Sequence, residues 1–162
     1  MNIVSKKWGI ALSCLLAFAS MASTLYAVEV VAPSLSLKKT WIKTEDSYLL
    51  LTSVPVDAFT PTQVTCPGRG KCTVRIEVSS EFGFLKEPHV IQMKVLVDGV
   101  VANPGEWIYA QSTPLLEHAV RTFSWIQTNL TPGTHLVDVE FRVSGETAEA
   151  ARRTLTIGVY KP

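Results

Sequence analysis

The chain has 162 residues, enough for one domain, and its 47% hydrophobic and 18% charged residues are typical of a folded protein rather than a disordered one. A formal net charge of +1 argues against a nucleic-acid-binding protein, which normally carries a clustered basic surplus. Nine glycines and nine prolines exclude collagen-like and low-complexity sequence.

Residues 1–27 have the order of a secretory signal peptide. Lys6 and Lys7 precede an almost wholly apolar run over residues 9–22, and small residues follow. The run is shorter than the roughly 20 residues that cross a bilayer as a helix, so no transmembrane segment is expected after its removal. We predict cleavage after Ala27, with Ala22 as the alternative, and export to the periplasm or the extracellular space.

Cleavage there leaves residues 28–162 as a single domain with two cysteines, Cys66 and Cys72. An even pair in an oxidising compartment is expected to form a disulfide. The five residues between them include one proline and two glycines, which permit the tight reversal that the bond needs. A redox-active or zinc-binding pair is the alternative, but the Cys-x-x-Cys spacing and further ligands of such sites are missing from the sequence.

The rest of the chain reads as short β-strands. Val74, Ile76 and Val78 alternate with polar residues, which is the period of a half-buried strand. Similar runs cover residues 90–98, 135–143 and 153–160, with weaker candidates at 36–44, 48–54, 107–111 and 120–130. Residues 146–153 have a helix-forming composition but are too few to form a helix alone. The pattern predicts an all-β protein, an antiparallel immunoglobulin-like β-sandwich of about seven to nine strands.

One segment carries a family resemblance. Leu130, Pro132 and Gly133 stand before the alternating run that ends at Val139. This order resembles the strand–turn–strand corner of fibronectin type III and related immunoglobulin-like domains, including bacterial ones. The resemblance covers about ten residues and implies a leucine that packs inward before a Pro-Gly turn, where glycine supplies the positive φ.

The three histidines, His89, His118 and His135, lie in separate segments without metal-ligand spacing. We place His135 on the polar side of its strand, as a solvated residue. Glu117 and His118 are neighbours in sequence and therefore do not face each other. A Gly-x-Ser-x-Gly elbow is absent from the sequence. The sequence thus predicts a protein that is not an enzyme, with no cofactor and no metal.

Two surfaces are candidates for ligand or partner binding. The disulfide loop presents Arg69 and Lys71 on a preorganised turn, where the alternative is an ordinary solvated loop. Trp107 and Tyr109 lie in a long connection, where exposed aromatic residues stack on sugars or anchor proteins; the alternative is that both pack in the core. Trp41 and Trp125 are expected in the core.

These observations favour a noncatalytic binding or structural module of the cell envelope or extracellular space. Its partner, a protein or a carbohydrate, is not specified by the sequence. The alternative is a pilin-like subunit of a surface fibre, since such subunits combine a signal peptide, an immunoglobulin-like sandwich and often a tyrosine near the end, as Tyr160 stands here. A small hydrolase is a third hypothesis, for which no nucleophile and base were found in sequence.

Overall fold

A computed structural model of the chain describes residues 35–84, 90–110, 118–145 and 147–162. The predicted signal peptide, residues 1–27, lies outside the described residues, as do His89 and Glu117. Within those ranges no helix is long and apolar enough to cross a bilayer.

The described residues contain eleven strands and no helix. In chain order they are β1 (Ser36–Glu45), β2 (Leu49–Leu51), β3 (Val56–Asp57), β4 (Thr62–Cys66), β5 (Cys72–Phe84), β6 (Val90–Val97), β7 (Val100–Val101), β8 (Trp107–Ala110), β9 (His118–Leu130), β10 (Gly133–Ser144) and β11 (Ala148–Lys161). All pairings among them are antiparallel. The predicted all-β class is confirmed.

The strands form two sheets that pack as a sandwich. The five-stranded sheet has the order β1-β11-β5-β9, with β2 also beside β11. The six-stranded sheet has the order β3-β10-β6-β7, with β4 beside β10 and β8 beside β6. The first strand, β1, pairs with the last, β11, in the five-stranded sheet.

Alternate side chains of both sheets fill the space between them. Along β10, Val137, Val139, Phe141 and Val143 are at most 1% exposed, as the period-two pattern predicted. The ring of Phe82 on β5 lies 5.3 Å from that of Phe141, so the two sheets meet through their largest side chains. Burying each such side chain stabilises the fold by roughly 1.5 to 3 kcal/mol.

Trp41 and Trp125, which the sequence analysis places in the core, pack there. Trp125 is 1% exposed, and Trp41 packs against the same cluster while Lys39 lies 4.6 Å above its ring. The predicted core role of both residues is confirmed.

The strand count exceeds the predicted seven to nine because short strands flank the long ones. The pattern missed β3 and β4, whose five or fewer residues gain their ladder only by pairing with β10. The segment 146–153, although helix-forming in composition, enters β11 at Ala148, because its backbone pairs with β5 on one side and with β2 on the other. Tertiary pairing here overrides local propensity.

A buried arginine stabilises a bulge in β11. The register with β5 shifts between Ala151 and Thr154, and Arg153 at the bulge is 4% exposed. Its guanidinium donates hydrogen bonds to the backbone carbonyls of Ser47, Ala58 and Ala150 over 2.7 to 3.0 Å. These bonds connect the loops on either side of the short strands β2 and β3 to the longest strand of the protein.

Candidate functional site

The disulfide predicted between Cys66 and Cys72 is present, with 5.9 Å between the Cα atoms. Both cysteines are buried, whereas the loop between them is exposed at Arg69 and Lys71. Lys161, near the end of β11, donates a hydrogen bond of 2.6 Å to the backbone carbonyl of Arg69. The loop is therefore attached to the five-stranded sheet at its tip as well as at its base.

Trp107 lies on the rim between the two sheets. Its ring centroid is 6.0 Å from that of Phe123 and 6.5 Å from that of Trp125, and its indole N–H points to the carbonyl of Ser124 at 3.4 Å. The side chain remains 37% exposed. Trp107 thus both closes the rim and presents part of its ring to solvent. Its position is intermediate between the exposed binding residue and the core residue that the sequence analysis gave as alternatives.

The other two candidates on the chain are placed as follows. Tyr109 belongs to β8, where its backbone pairs with Ile91; the structure does not describe its side chain. Arg69 and Lys71 lie in the loop before β5, at the disulfide end of the sandwich. Trp107 and Tyr109 lie on β8, which pairs with the first half of β6, from Val90 to Met93, near the other end of the sandwich. The structure therefore does not bring the two predicted surfaces together into one site.

A different feature, on the outer face of the five-stranded sheet, has the form of a binding site. Thr40 pairs with Gly158, and Gly158 pairs with Arg75. Arg75 pairs with Ile126, which in turn forms a bridge to Asn103 in the β7–β8 connection. Adjoining shallow depressions of about 210, 230 and 410 Å³ follow this row, and Arg75 lines all three. We call this feature the outer-face groove.

The groove crosses the strands instead of running along them. With neighbouring strands about 4.8 Å apart, four spacings give it a length of about 19 Å from β1 to the β7–β8 connection. Other lining residues lie on either side of the row: Leu35, Thr73 and Tyr160 toward the disulfide, and Glu77, Ser124 and Thr156 away from it. Pro104 and Trp125 complete the lining, next to Asn103 and Ile126. The dimensions suit an extended, chain-like ligand.

Gly158 lacks a side chain and thereby makes room for the ring of Tyr160 on the groove floor. A Cβ atom there would lie 2.8 Å from Cε2 and 3.0 Å from the hydroxyl oxygen of Tyr160, so the tyrosine ring lies across the glycine. The ring is partly exposed. A half-exposed aromatic ring lying along a rigid sheet offers an apolar surface beside a row of hydrogen-bonding groups.

Arg75 and Glu77 supply opposite charges on the floor of the groove. The nearest guanidinium nitrogen and carboxylate oxygen are 3.6 Å apart, and the side chains are 57% and 44% exposed. Because the pair is solvated and loosely joined, both groups keep donors and acceptors for a ligand. The hydroxyls of Thr40 and Thr156 add further hydrogen-bonding groups at the β1 end of the groove.

The far wall of the groove is held by backbone hydrogen bonds. Asn103 and Ile126 exchange N–H to carbonyl bonds of 3.1 and 2.8 Å. The indole N–H of Trp125 donates to the carbonyl of Gly105 at 2.7 Å. Together these bonds attach the β7–β8 connection to β9, so the groove ends against an ordered segment.

The structure corrects the position of His135. It lies on the same side of β10 as Val137, two residues away, and is 7% exposed rather than solvated. Its Nδ1 lies 2.6 Å from Oδ2 of Asp98, and its Nε2 lies 2.8 Å from the carbonyl oxygen of Thr131. Both neighbours are acceptors, so the imidazole satisfies both contacts only when both nitrogens carry a proton.

The pKa values of this pair follow from the geometry. Burial alone lowers the pKa of His135, but the hydrogen bonds to Asp98 and Thr131 outweigh it, and the net pKa is raised. The hydrogen bond from His135, and then that from the Leu136 N–H, lower the pKa of Asp98. The pair therefore fixes the β6–β7 hairpin to the β9–β10 turn by a charge-assisted contact.

His118 contacts Glu81, which is distant from it in the sequence. Its Nδ1 lies 3.5 Å from a carboxylate oxygen of Glu81 on β5, whose other oxygen is 3.2 Å from Arg152. Gly83 makes room for the ring, since a Cβ atom there would lie 2.7 Å from Cε1 of the imidazole. This ion cluster lies near the opposite end of the sheet from the disulfide.

Sequence reasoning missed the residues of the groove. Arg75 appeared only as one of the polar residues on the outer side of β5, and Tyr160 only as a possible fibre signature. A signal was present, because Tyr160 is an aromatic residue on the solvent side of an alternating strand. That Gly158, Arg75 and Ile126 form one row depends on the pairing of β11, β5 and β9, which local sequence does not contain.

In the ranges that the structure describes, no three His, Cys, Asp or Glu side chains gather as potential metal ligands. No protein-family model matches the chain, and no curated protein sequence matches it either.

Solved structures give several distant fold matches. The C-terminal domain of EclA, a sugar-binding protein, aligns with a TM-score of 0.41 and 11% identity over 68% of this chain and 78% of its own. The CBM36-1 domain of a multidomain xylanase, from the hindgut metagenome of Trinervitermes trinervoides, aligns with a TM-score of 0.39 and 13% identity over 77% and 90%. A structure of infectious bursal disease virus, Gx strain, aligns with a TM-score of 0.46 and 9% identity over 75% of this chain and 32% of the viral one. Likeness at this level carries no argument about function.

Proposed function

We propose that this protein is an exported, noncatalytic module that binds carbohydrate in the outer-face groove. The observation that carries the proposal is the row from Thr40 through Gly158 and Arg75 to Asn103, along which three adjoining depressions share Arg75 across five adjacent backbone segments. A depression that crosses the strands accommodates a linear polymer, and its floor is part of the sheet.

The chemistry of the groove matches that of a sugar. A pyranose has apolar C–H faces and a rim of hydroxyls that both donate and accept hydrogen bonds. The ring of Tyr160 supplies a surface for the C–H face, as aromatic residues do at binding sites. Arg75 supplies donors, Glu77 supplies acceptors, and threonine hydroxyls supply both.

The same set of residues supports a noncatalytic role. Hydrolysis of a glycosidic bond generally requires two carboxyl groups that flank the bond. Glu77 is the one carboxylate among the described lining residues of the groove, and it is paired with Arg75. We therefore propose that this arrangement binds its ligand without cleaving it.

Export is the remaining part of the proposal. It is supported by the leader-like order of residues 1–27 and by the disulfide between Cys66 and Cys72, a bond that persists in oxidising compartments. We place the protein in the periplasm or outside the cell. The expected cleavage sites after Ala27 or Ala22 are distinguished by sequencing the amino terminus of the exported protein.

Binding to a panel of soluble polysaccharides by isothermal titration calorimetry tests the function. We expect Tyr160→Ala to weaken binding about tenfold through the lost ring contact. Gly158→Ala should also weaken it, because the added methyl group displaces the tyrosine ring. Tyr48→Ala is the matched control, since Tyr48 is a 69% exposed tyrosine in the loop between β1 and β2. Equal effects of the two tyrosine variants, or no binding to any polymer, would contradict the proposal.

A subunit of a surface fibre is the second candidate, favoured by the edge strand β1. Among the described strands β1 pairs only with β11, and it exposes Leu37 and Ile42 at 52% and 70%. A long open edge of this kind is a template for strand addition from another chain. Light scattering after size-exclusion chromatography separates the candidates, because a fibre subunit forms high-mass oligomers whereas a binding module elutes as a monomer or a dimer.

A further inference from the structure

The end of the sandwich next to the outer-face groove carries a cluster of positive charge. Arg69 and Lys71 project from the disulfide loop, Lys161 ends β11, and Lys38 lies at the bulge of β1. We call these four residues the basic end. They come from three separate segments, so the cluster exists only in the folded protein.

The contacts of the basic end hold the backbone of the disulfide loop and the Lys161 ammonium in place. The bond from Lys161 to the carbonyl of Arg69 fixes the loop tip against β11. The disulfide closes the loop at its base, and Gly68 packs closely enough that a Cβ there would lie 3.6 Å from the ammonium nitrogen of Lys161. A loop held in this way loses little backbone conformational entropy when an anion binds.

Among the described residues, no acid lies within ion-pairing distance of the four cations of the basic end. The carboxylate of Asp98, on the β6–β7 hairpin, accepts hydrogen bonds from His135 and from the N–H of Leu136. Acids that balance the total charge lie elsewhere, including Glu140 on the six-stranded sheet, which pairs with Lys94 at 2.9 Å. A near-neutral protein thus has one end that is locally positive.

The basic end continues into the groove through adjacent residues. Lys161 directly follows Tyr160, and the disulfide loop directly precedes Thr73. Both Tyr160 and Thr73 line the depression of about 230 Å³ that opens toward this end. Because the groove crosses the strands, the basic end lies along its disulfide-facing side, and a polymer in the groove has the cations on that side.

From this juxtaposition we infer that the ligand of the groove is an acidic polysaccharide, whose carboxylates bind at the basic end while its sugar rings occupy the groove. The inference rests on the proposed carbohydrate-binding function and names its substrate class. Tyr160 and Arg75 contact the uncharged part of the polymer, and Arg69, Lys71 and Lys161 contact its acidic groups. A neutral polysaccharide uses the first set of contacts only.

Three polymers separate the contributions. Polygalacturonate carries sugar rings with carboxylates, a neutral galactan carries the rings alone, and polyglutamate carries carboxylates without sugars. Binding of the disulfide-bonded exported protein is measured by calorimetry at low and at high salt. We expect polygalacturonate to bind about tenfold more tightly than galactan at low salt, since several exposed ion pairs each contribute modestly. Screening by salt should reduce that advantage.

Variants then locate the acidic contact. Arg69→Gln should weaken binding of polygalacturonate about threefold to fivefold and leave galactan binding unchanged. Arg152→Gln is the matched control: Arg152 is 77% exposed and lies at the other end of the same sheet, so its loss should affect neither polymer. Thermal unfolding of both variants verifies that each is folded. We expect both to fold, because Arg69 and Arg152 are exposed.

The outcomes distinguish the inference from the function on which it rests. Equal affinity for polygalacturonate and galactan, with no effect of Arg69→Gln, overturns the inference and leaves carbohydrate binding standing. Binding of polyglutamate as tight as that of polygalacturonate, insensitive to Tyr160→Ala, overturns the inference because the groove then takes no part. Absence of binding to both polysaccharides overturns the inference and the proposed function together.

Discussion

The contact between His135 and Asp98 should make the stability of the fold depend on pH in a defined direction. We consider Asp98→Asn, which removes the charge and keeps a side chain of the same shape. Asp98 has a φ of +52°, a conformation that asparagine tolerates as well as aspartate does. The substitution therefore leaves the hairpin turn intact and changes the interaction with the imidazole.

The magnitude follows from the hydrogen bonds that are altered. A hydrogen bond to a charged group contributes about 1.5 to 3 kcal/mol, against about 1 kcal/mol for a neutral one. Because the Asp98 side chain is 46% exposed, solvent screening favours the lower end of that range. We expect Asp98→Asn to lower the free energy of unfolding by about 1 kcal/mol at pH 6, which corresponds to about 4 °C in Tm for a domain of this size.

The pH dependence follows from the directions of the two pKa shifts. The folded-state pKa of His135 is raised, so its contribution is complete below its unfolded pKa of about 6.5 and is lost as pH rises through the higher folded value. The folded-state pKa of Asp98 is lowered, so its contribution is present above its unfolded pKa of about 3.9 and is lost as pH falls through the lower folded value. The difference between wild type and variant is therefore largest between about pH 4 and pH 6.5.

Thermal unfolding followed by circular dichroism from pH 4 to pH 9 measures that difference, and the titration of the His135 ring by NMR supplies an independent reading. The ring should titrate at lower pH in the variant than in the wild type. Asp46→Asn serves as control, because Asp46 is an exposed acid in the loop after β1. A Tm difference that stays constant across the whole range, or a His135 pKa unchanged by the substitution, would refute the reasoning.

Two further predictions concern stability. Arg153→Lys should lower the free energy of unfolding, measured in urea, by about 2 kcal/mol, because an ammonium group cannot donate to three backbone carbonyls in the fork geometry of a guanidinium. The control is Arg152→Lys at the exposed neighbouring residue, which should change this free energy by less than about 0.5 kcal/mol. Equal effects of the two substitutions would show that the buried contacts of Arg153 are unimportant. Replacing Cys66 and Cys72 together by serine should cost about 2.4 kcal/mol, from the entropy of a closed loop of about seven residues. A reductant should lower the stability of the wild type by a similar amount and leave that of the double serine variant unchanged. A double variant as stable as the oxidised wild type would contradict the prediction.

The architecture was accessible from sequence wherever one face of a strand is buried. Alternation along β5 and β10 predicted both strands and their core faces, because the period of two is imposed by the pleat and by burial together. Short strands such as β3 gave no such signal, since a pair of residues has no period. The order of the strands in the two sheets was not predictable either, because it depends on which strands meet across long stretches of chain.

His135 shows how local reasoning fails at a buried polar residue. Histidine was assigned to the polar side by its chemistry, although its parity with Val137 places it on the inner side of β10. The position tolerates histidine because Asp98 and the Thr131 carbonyl, from two other segments, satisfy both ring nitrogens. Burial of a polar group is determined by partners that the local pattern does not contain.

The outer-face groove cannot be recognised from the sequence, because it is formed by the pairing of strands that are distant in the chain. Each residue of the row is ordinary on its own strand, and Gly158 becomes meaningful only because β11 places it between Thr40 and Arg75. A slip of β11 by a single residue would bring Ile157 or Val159 to the outer face, which fills the depression and removes apolar side chains from the core. The register that builds the core therefore also builds the groove, so the site cannot be lost by a register change without a large loss of stability.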